Sequence, residues 1–106
     1  MTAEHQAGAD ETGTVIDDSF GHRFIIELDG HVAELVYRLD RKQLTLVHTG
    51  VPDELRGRRL AARLVAAAFE RAAAEGLTVV PLCPYVRSWL QDHPEAAASV
   101  RSDWRG

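Results

Sequence analysis

The chain has 106 residues, a hydrophobic content of 45% and a formal net charge of −4 at pH 7. This length predicts a single domain with one modest core. The negative net charge argues against general nucleic-acid binding, which usually needs a broad basic surface. The lone cysteine, Cys83, allows no intrachain disulfide and fits a reducing compartment.

The N-terminal stretch is polar and acidic. Residues Met1 to Asp18 carry too few apolar side chains to fold, so we predict a disordered tail followed by one domain over residues 19–106. The tail lacks the basic and apolar regions of a signal peptide, and no apolar run is long enough to span a bilayer. These features predict a cytoplasmic protein that does not bind membranes.

Three strands are predicted next. The first is HRFIIELDG, which ends in Asp29-Gly30, a strong hairpin signal. The second is HVAELVYRLD, in which apolar and polar residues alternate. The third is QLTLVHTGV, where alternation places Leu44, Leu46 and His48 on one face. Short turns between these segments predict an antiparallel meander.

The second half of the chain changes to a helical period. Apolar residues at helical spacing and many alanines predict a helix from Leu60 to Glu75, and Gly76 is suited to cap its end. An apolar strand follows over residues 77–83, and a second helix over residues 85–92. The order β-β-β-α-β-α predicts an α+β domain in which a helix crossover leads to a strand parallel to the third one.

The turn before the first predicted helix contains a dense arginine cluster, in the stretch HTGVPDELRGRRLAARL. A helix start attracts anions through its unpaired N–H groups and the positive end of its dipole. The cluster therefore fits either a phosphate-bearing ligand or a solvated surface turn. The five histidines show no metal-ligand spacing, so we expect no metal.

Three stretches, in order and at these spacings, resemble the GNAT superfamily of N-acetyltransferases, in particular its small stand-alone YjdJ-like members. They are HTGVPDELRGRRLAARLV, AAAEGLTVVPLCPYV and WLQDHPE, within a resemblance that covers about Phe20 to Glu95. The resemblance implies a minimal GNAT fold that transfers an acetyl group from acetyl-coenzyme A to an amine. It also implies that the third and fourth predicted strands splay apart around the pantetheine arm, with the pyrophosphate on the arginine turn.

The resemblance also implies which residues form the site. It suggests His48 and Cys83 as the catalytic pair, with Cys83 either a nucleophile activated by His48 or a lining of the thioester pocket. Tyr85 could hydrogen-bond the leaving thiolate, or belong to the core. The residues implied to contact coenzyme A are Val51, Arg56, Gly57, Arg58, Arg59, Leu60, Ala61, Ala62 and Tyr85.

Two positions depart from the family pattern. Arg59 stands where the superfamily usually has glycine, and we expect this residue to be helical already and therefore unstrained. Gly50 stands where the small members would have glutamate, which removes a possible base. Two alternatives to the enzyme remain open: a non-catalytic acyl-coenzyme A sensor on the same fold, and an interaction domain whose arginine turn binds an acidic partner. The acceptor amine, a protein amine or a small polyamine-like molecule, is also open.

Overall fold

The computed structural model describes residues 13–100. Five strands form one sheet in the order β1-β2-β3-β4-β5. The strands are β1 (Val15–Asp18), β2 (Arg23–Leu28), β3 (His31–Asp40), β4 (Gln43–Gly50) and β5 (Thr78–Pro81). The α-helices are α1 (Leu60–Glu75) and α2 (Pro84–Gln91), and short 3-10 helices span Asp53–Leu55 and Pro94–Ser99. Within residues 13–100, neither α-helix combines the length and the apolar character that crossing a bilayer requires.

The N-terminal boundary of the predicted domain is wrong, because β1 lies inside the predicted tail. Val15 pairs with Ile26 and Asp18 pairs with Arg23, which makes the antiparallel meander one strand longer than expected. This four-residue strand carries too little alternation to be recognised from its sequence. Its pairing with β2 is reinforced from the helix layer, since Arg71 donates to the Asp17 carboxylate over 2.7 Å. The rest of the predicted tail, residues 1–12, lies outside the described residues.

The core forms between one face of the sheet and the two helices. Helix α1 buries a stripe that includes Leu64, Val65 and Ala68, each 0% exposed, against the sheet. Helix α2 packs beside it, and the rings of Phe69 and Trp89 stack with centroids 5.1 Å apart. This arrangement is the α+β fold that the sequence predicted, with helix α1 as the crossover between the parallel strands β4 and β5.

The parallel strands pair over only part of their length. Pairing runs from Gln43 with Thr78 to Leu46 with Pro81, whereas β4 continues to Gly50. The N–H groups of Leu82 and Cys83 both donate to the Leu46 carbonyl oxygen, at 3.1 and 3.0 Å, and end the ladder there. Beyond Leu46 the two strands therefore diverge, and a gap opens towards the turn that precedes α1.

A β-bulge lies on the other edge of β4. Val36 of β3 pairs with His48, but the next residue, Tyr37, pairs with Leu46, so Val47 is an extra residue. A bulge of this kind bends the strand and re-aims the side chains that follow it. It therefore decides which residues of β4 face the helices beyond Leu46.

Candidate active site

The turn before α1 has two residues in the left-handed backbone region. Leu55, 1% exposed, anchors the preceding 3-10 helix in the core. Gly57 then has φ of 82°, and Arg59 has φ of 60° and ψ of 29° as the N-cap of α1. A β-carbon on Gly57 would meet no atom within 4 Å, so its backbone angle, rather than space, is the reason that glycine suits this position.

The expectation that Arg59 is helical and unstrained is wrong. The left-handed region costs an L-residue with a side chain about 1–2 kcal/mol, because its β-carbon approaches the following carbonyl oxygen. This conformation gives a physical reason for the glycine that the superfamily usually has here. Helix propensity could not reveal it, since the angle is set by how the turn is anchored at both ends.

The N-terminus of α1 is left open by its own chain. Its first intrahelical bond runs from the Arg63 N–H to the Arg59 carbonyl oxygen at 3.2 Å, and no side chain caps the end. Within residues 13–100, the N–H groups of Leu60, Ala61 and Ala62 have no hydrogen-bond acceptor. The first turn also carries no acidic residue, so the positive end of the helix dipole is uncompensated.

A cavity of about 200 Å³ lies against this helix end. It brings together eight of the nine residues that the resemblance implied for coenzyme contact, with Leu55 as an addition. Its lining residues are Val51, Leu55, Arg56, Gly57, Arg59, Leu60, Ala61, Ala62 and Tyr85. The ninth implied residue, Arg58, is directed elsewhere, because its Nη1 donates to Asp29 Oδ2 at 3.0 Å.

Cys83 lies at the far end of the gap between the diverging strands. It is 3% exposed and forms the N-cap of α2. Its Sγ is 3.7 Å from Thr49 Oγ1, a distance at which either group can donate a hydrogen bond.

His48 is not the partner of Cys83 in this structure. Thr49 pairs with the buried Leu35 and faces the helices, whereas His48 is exposed and pairs with Val36 on the opposite face. Regular alternation would have placed His48 with Leu44 and Leu46, as predicted. The bulge at Val47 reverses this phase and brings Thr49 to the cysteine instead.

Glu34 is a candidate site residue that the sequence reasoning missed. It pairs with Gly50 across strands β3 and β4. A β-carbon on Gly50 would lie 3.4 Å from His48 Nε2 and 3.8 Å from Glu34 Oε2, so an imidazole and a carboxylate flank the same space. The other oxygen, Oε1, accepts from Arg23 at 2.8 Å. The Glu34 carboxylate therefore lies beside Gly50, the position at which the small family members would have glutamate. The pairing register of β3 and β4 is the signal from which this proximity could have been predicted.

His93 directly follows the C-terminal end of α2. The Nδ1 atom of His93 lies 2.9 Å from the Trp89 carbonyl oxygen, and its ring stacks on Trp89 at 3.9 Å between centroids. These contacts account for His93 as a structural residue at the helix end.

Among residues 13–100, no group of three or more His, Cys, Asp or Glu side chains is placed to hold a metal ion.

Comparison with known proteins identifies the family. A family model described as GCN5-related N-acetyl-transferase matches residues 23–100, and the chain belongs to this family. Protein NATD1 of Bos taurus is 33% identical over 93 residues, which are 82% of each chain. Protein NATD1 of Xenopus tropicalis is 33% identical over 75 residues, covering 68% of this chain and 69% of that protein.

A solved structure shows the same fold. The NMR solution structure of a GCN5-like protein from Staphylococcus aureus matches with a TM-score of 0.66 at 24% identity. The match covers 85% of this chain and 89% of that one. The chain is therefore a GNAT-superfamily protein with acetyltransferase as its general function.

Proposed function

We propose that this protein transfers an acetyl group from acetyl-coenzyme A to an amine. The observation that carries the proposal is the cavity of about 200 Å³ at the open N-terminus of α1, next to the gap between β4 and β5. Three unpaired N–H groups at a helix end are a ready-made site for the pyrophosphate. From there the pantetheine arm would run through the gap towards Cys83.

The chemistry requires a neutral amine and a place for the developing oxyanion. A lysine-like amine has a pKa of about 10.4, so a base has to take its proton before or during attack. His48 and Glu34 lie together on the exposed face of the sheet and are the proposed base and its carboxylate neighbour. The thioester oxygen becomes negative in the tetrahedral intermediate, where N–H groups of β4 beyond Leu46 are the proposed donors.

Two routes use these residues differently. In the direct route the amine attacks the thioester carbon, the amine proton passes to His48, and the coenzyme thiolate leaves while Cys83 lines the pocket. In the two-step route the Cys83 thiolate attacks first, coenzyme A leaves, and the amine then takes the acetyl group from Cys83. The place of the Cys83 thiol beside the gap, with its Sγ 3.7 Å from Thr49 Oγ1, supports the second route, and the separation of His48 from Cys83 supports the first.

The first experiment is a thermal melt with and without acetyl-coenzyme A. At about a hundred times the dissociation constant, a bound ligand adds about 2.7 kcal/mol to the free energy of unfolding. In a domain of this size, that should raise Tm by roughly 10 °C or more. The absence of any shift at millimolar coenzyme would contradict the proposal.

Substitution of Cys83 then separates the two routes. Under the two-step route, Cys83→Ala should lower turnover by a factor of about a thousand or more, and intact-mass analysis of the unmodified protein should show an acetyl adduct that the variant lacks. Under the direct route, turnover should fall only modestly and no adduct should form. Coenzyme binding, measured by the shift in Tm, should persist in the variant under both routes. Thr49→Val serves as a matched control that removes the hydroxyl but keeps the thiol.

A non-catalytic acyl-coenzyme A sensor is the second candidate, favoured by the lack of a side chain at Gly50 and by the strained Arg59. It predicts a shift in Tm with acetyl-coenzyme A but no acetyl transfer to any amine. An interaction domain that binds an acidic partner predicts no shift in Tm at all.

We further propose a cationic acceptor amine, since a carboxylate, Glu34, flanks the space next to His48. A cytoplasmic location and the absence of metal, membrane and nucleic-acid partners remain predictions.

A further inference from the structure

A row of ionisable side chains crosses the outer face of the sheet, the face that points away from the helices. Glu34 of β3 lies between two fully buried residues, so its own side chain points to the outer face. Arg23 of β2 precedes the buried Phe24 and pairs with Asp18 of β1 on the same face. His48 of β4 is also exposed there. Four neighbouring strands thus each contribute one ionisable side chain to this row.

Arg23 links two carboxylates of the row. Its Nη1 donates to Glu34 Oε1 at 2.8 Å, and its Nε lies 3.5 Å from Asp18 Oδ2. Asp18 is itself held in place, because its Oδ1 accepts from the Gly21 N–H at 3.0 Å in the turn between β1 and β2. The guanidinium is therefore fixed on one side by β1, and on the other side it forms a charge-assisted hydrogen bond to a diagonal neighbour on β3.

The second oxygen of the Glu34 carboxylate points towards the candidate base. A β-carbon on Gly50 would lie 3.8 Å from Glu34 Oε2 and 3.4 Å from His48 Nε2, so both atoms border the same space. Within residues 13–100, Arg23 is the only side chain that forms a hydrogen bond or ion pair with Glu34. A half-buried glutamate without such a contact has several rotamers open to it. The contact with Arg23 therefore decides where Oε2 points.

We propose that Arg23 is a positioning residue for acetyl transfer and acts through Glu34. The inference rests on the proposed function, since it takes His48 as the base and Glu34 as its carboxylate neighbour. When the amine attacks the thioester carbon, the amine proton passes to His48, and a carboxylate held nearby stabilises the imidazolium that forms. Arg23 affects this step only through the position of that carboxylate.

The contact should matter more for turnover than for stability. The Arg23 and Glu34 side chains are 37% and 31% exposed, and ion pairs with this much exposure contribute little to the free energy of unfolding. A variant that lacks the Arg23 guanidinium should therefore fold and melt within a few degrees of the unmodified protein. In contrast, a displacement of about 1 Å in a catalytic group can slow a reaction by about a hundredfold.

The test is a double-mutant cycle of Arg23→Gln and Glu34→Gln. Acetyl transfer from acetyl-coenzyme A is measured, as released coenzyme thiol, with a panel of primary amines that includes spermidine and lysine-containing peptides. Arg23→Gln alone should lower kcat/KM for the amine by about tenfold. In the Glu34→Gln background the same substitution should change kcat/KM by less than about twofold, because Arg23 then has no carboxylate to position. Arg23→Lys, which keeps a cationic donor, should retain about half of the activity or more.

The matched control is Arg38→Gln, which removes an exposed arginine on the outer face of β3 that has no hydrogen bond or ion pair with Glu34. It should leave kcat/KM within about twofold of the unmodified protein. The shift in Tm produced by acetyl-coenzyme A should be the same in all variants, since none of them alters the cavity at α1. A purely structural role of Arg23 would instead lower the activity equally in both Glu34 backgrounds.

The outcomes separate this inference from the proposed function. Equal losses in the two backgrounds, or full activity of Arg23→Gln, would overturn the role of Arg23 while acetyl transfer by the unmodified protein upholds the proposed function. Failure of the unmodified protein to acetylate any amine of the panel would overturn both together.

Discussion

The two ends of helix α1 adopt the same backbone conformation and use it differently. At the C-terminal end Gly76 has φ of 68°, its N–H and that of Leu77 both donate to the Ala72 carbonyl oxygen, and Lys42 Nζ donates to the Glu75 carbonyl oxygen at 3.0 Å. At the N-terminal end Arg59 has φ of 60°, and the N–H groups that follow have no acceptor among the described residues.

The difference shows which end serves the fold and which serves a ligand. The C-terminal end is a complete cap in which a glycine carries the left-handed angle without strain. The N-terminal end keeps its donors free and places a strained arginine beside them. A protein selected for stability alone would cap that end with Ser, Asp or Asn, so its openness is consistent with an anion that binds there.

The largest expected effect on stability comes from replacing Gly76 with arginine, so that both ends of α1 have an arginine in the left-handed region. Gly76→Arg should lower the free energy of unfolding by about 1–2 kcal/mol, because a side chain is forced into the left-handed region. This corresponds to a decrease in Tm of roughly 4–10 °C, whereas the shift produced by acetyl-coenzyme A should be unchanged. Equal stability of Gly76→Arg and the unmodified protein in a thermal melt would contradict the strain assigned to both ends.

A smaller effect is expected where Tyr37 of β3 contacts Arg71 of α1, because the chain satisfies its own polar groups there. The Tyr37 hydroxyl donates to Asp17 at 2.6 Å and accepts from Arg71 at 3.1 Å. Burial raises the pKa of Tyr37 above its usual 10.0, and the hydrogen bond to Asp17 raises it further. This group therefore contributes its full stability below about pH 10 and loses it as pH rises through the folded-state pKa.

The corresponding variant is Tyr37→Phe. It should be less stable than the unmodified protein by about 1 kcal/mol at pH 7, since one hydrogen-bonded group is lost. Above pH 10 the difference should shrink, because the variant lacks the ionisation that destabilises the unmodified protein. Urea unfolding between pH 7 and pH 11 measures both values, and Tyr85→Phe is the control that keeps the Tyr37 network. A difference that stays constant with pH would contradict this account.

The smallest effect on stability is expected when the open end of α1 is given its own anion. Ala62→Glu places a carboxylate at the third helical position, where it can reach back to the N-cap N–H, and should raise stability by about 0.5 kcal/mol. The same carboxylate should weaken binding of acetyl-coenzyme A by tenfold or more, since it competes for the donors and repels the phosphates. Ala62→Gln, which lacks the charge, should weaken binding less, and equal effects of both variants would exclude the electrostatic explanation.

Local pattern was sufficient for most of the secondary structure. The helix predicted from Leu60 to Glu75 has those bounds, because alanine-rich helical spacing and a capping glycine act within a few residues of each other. The strand His31–Asp40 also matches its prediction, since it alternates over ten residues. In contrast β1, with four residues, depends on pairing with β2 and on Arg71 of α1, which no local pattern records.

The candidate site likewise has one part that the sequence predicted and one part that it did not. Its phosphate end is formed mainly by residues 51–62, which are close together in the chain, with Tyr85 added from α2. The residues implied by the family resemblance meet there at one cavity, with Arg58 as the exception. Its reaction end combines strands β3, β4 and the start of α2, and there the predicted pair of His48 and Cys83 does not form. One extra residue at Val47 was enough to exchange His48 for Thr49, because a one-residue shift turns every later side chain of a strand to the other face.

The sequence by itself therefore determined the α+β order, the crossover helix and the position of the arginine turn, since these depend on periodicity and on residues that are close together in the chain. Tertiary structure alone decided three further features: the bulge in β4, the left-handed angle at Arg59 and the meeting of Glu34 with His48 across Gly50. Each of these depends on how separate segments are paired and anchored, and strand register and backbone strain are set by those distant contacts rather than by local propensity.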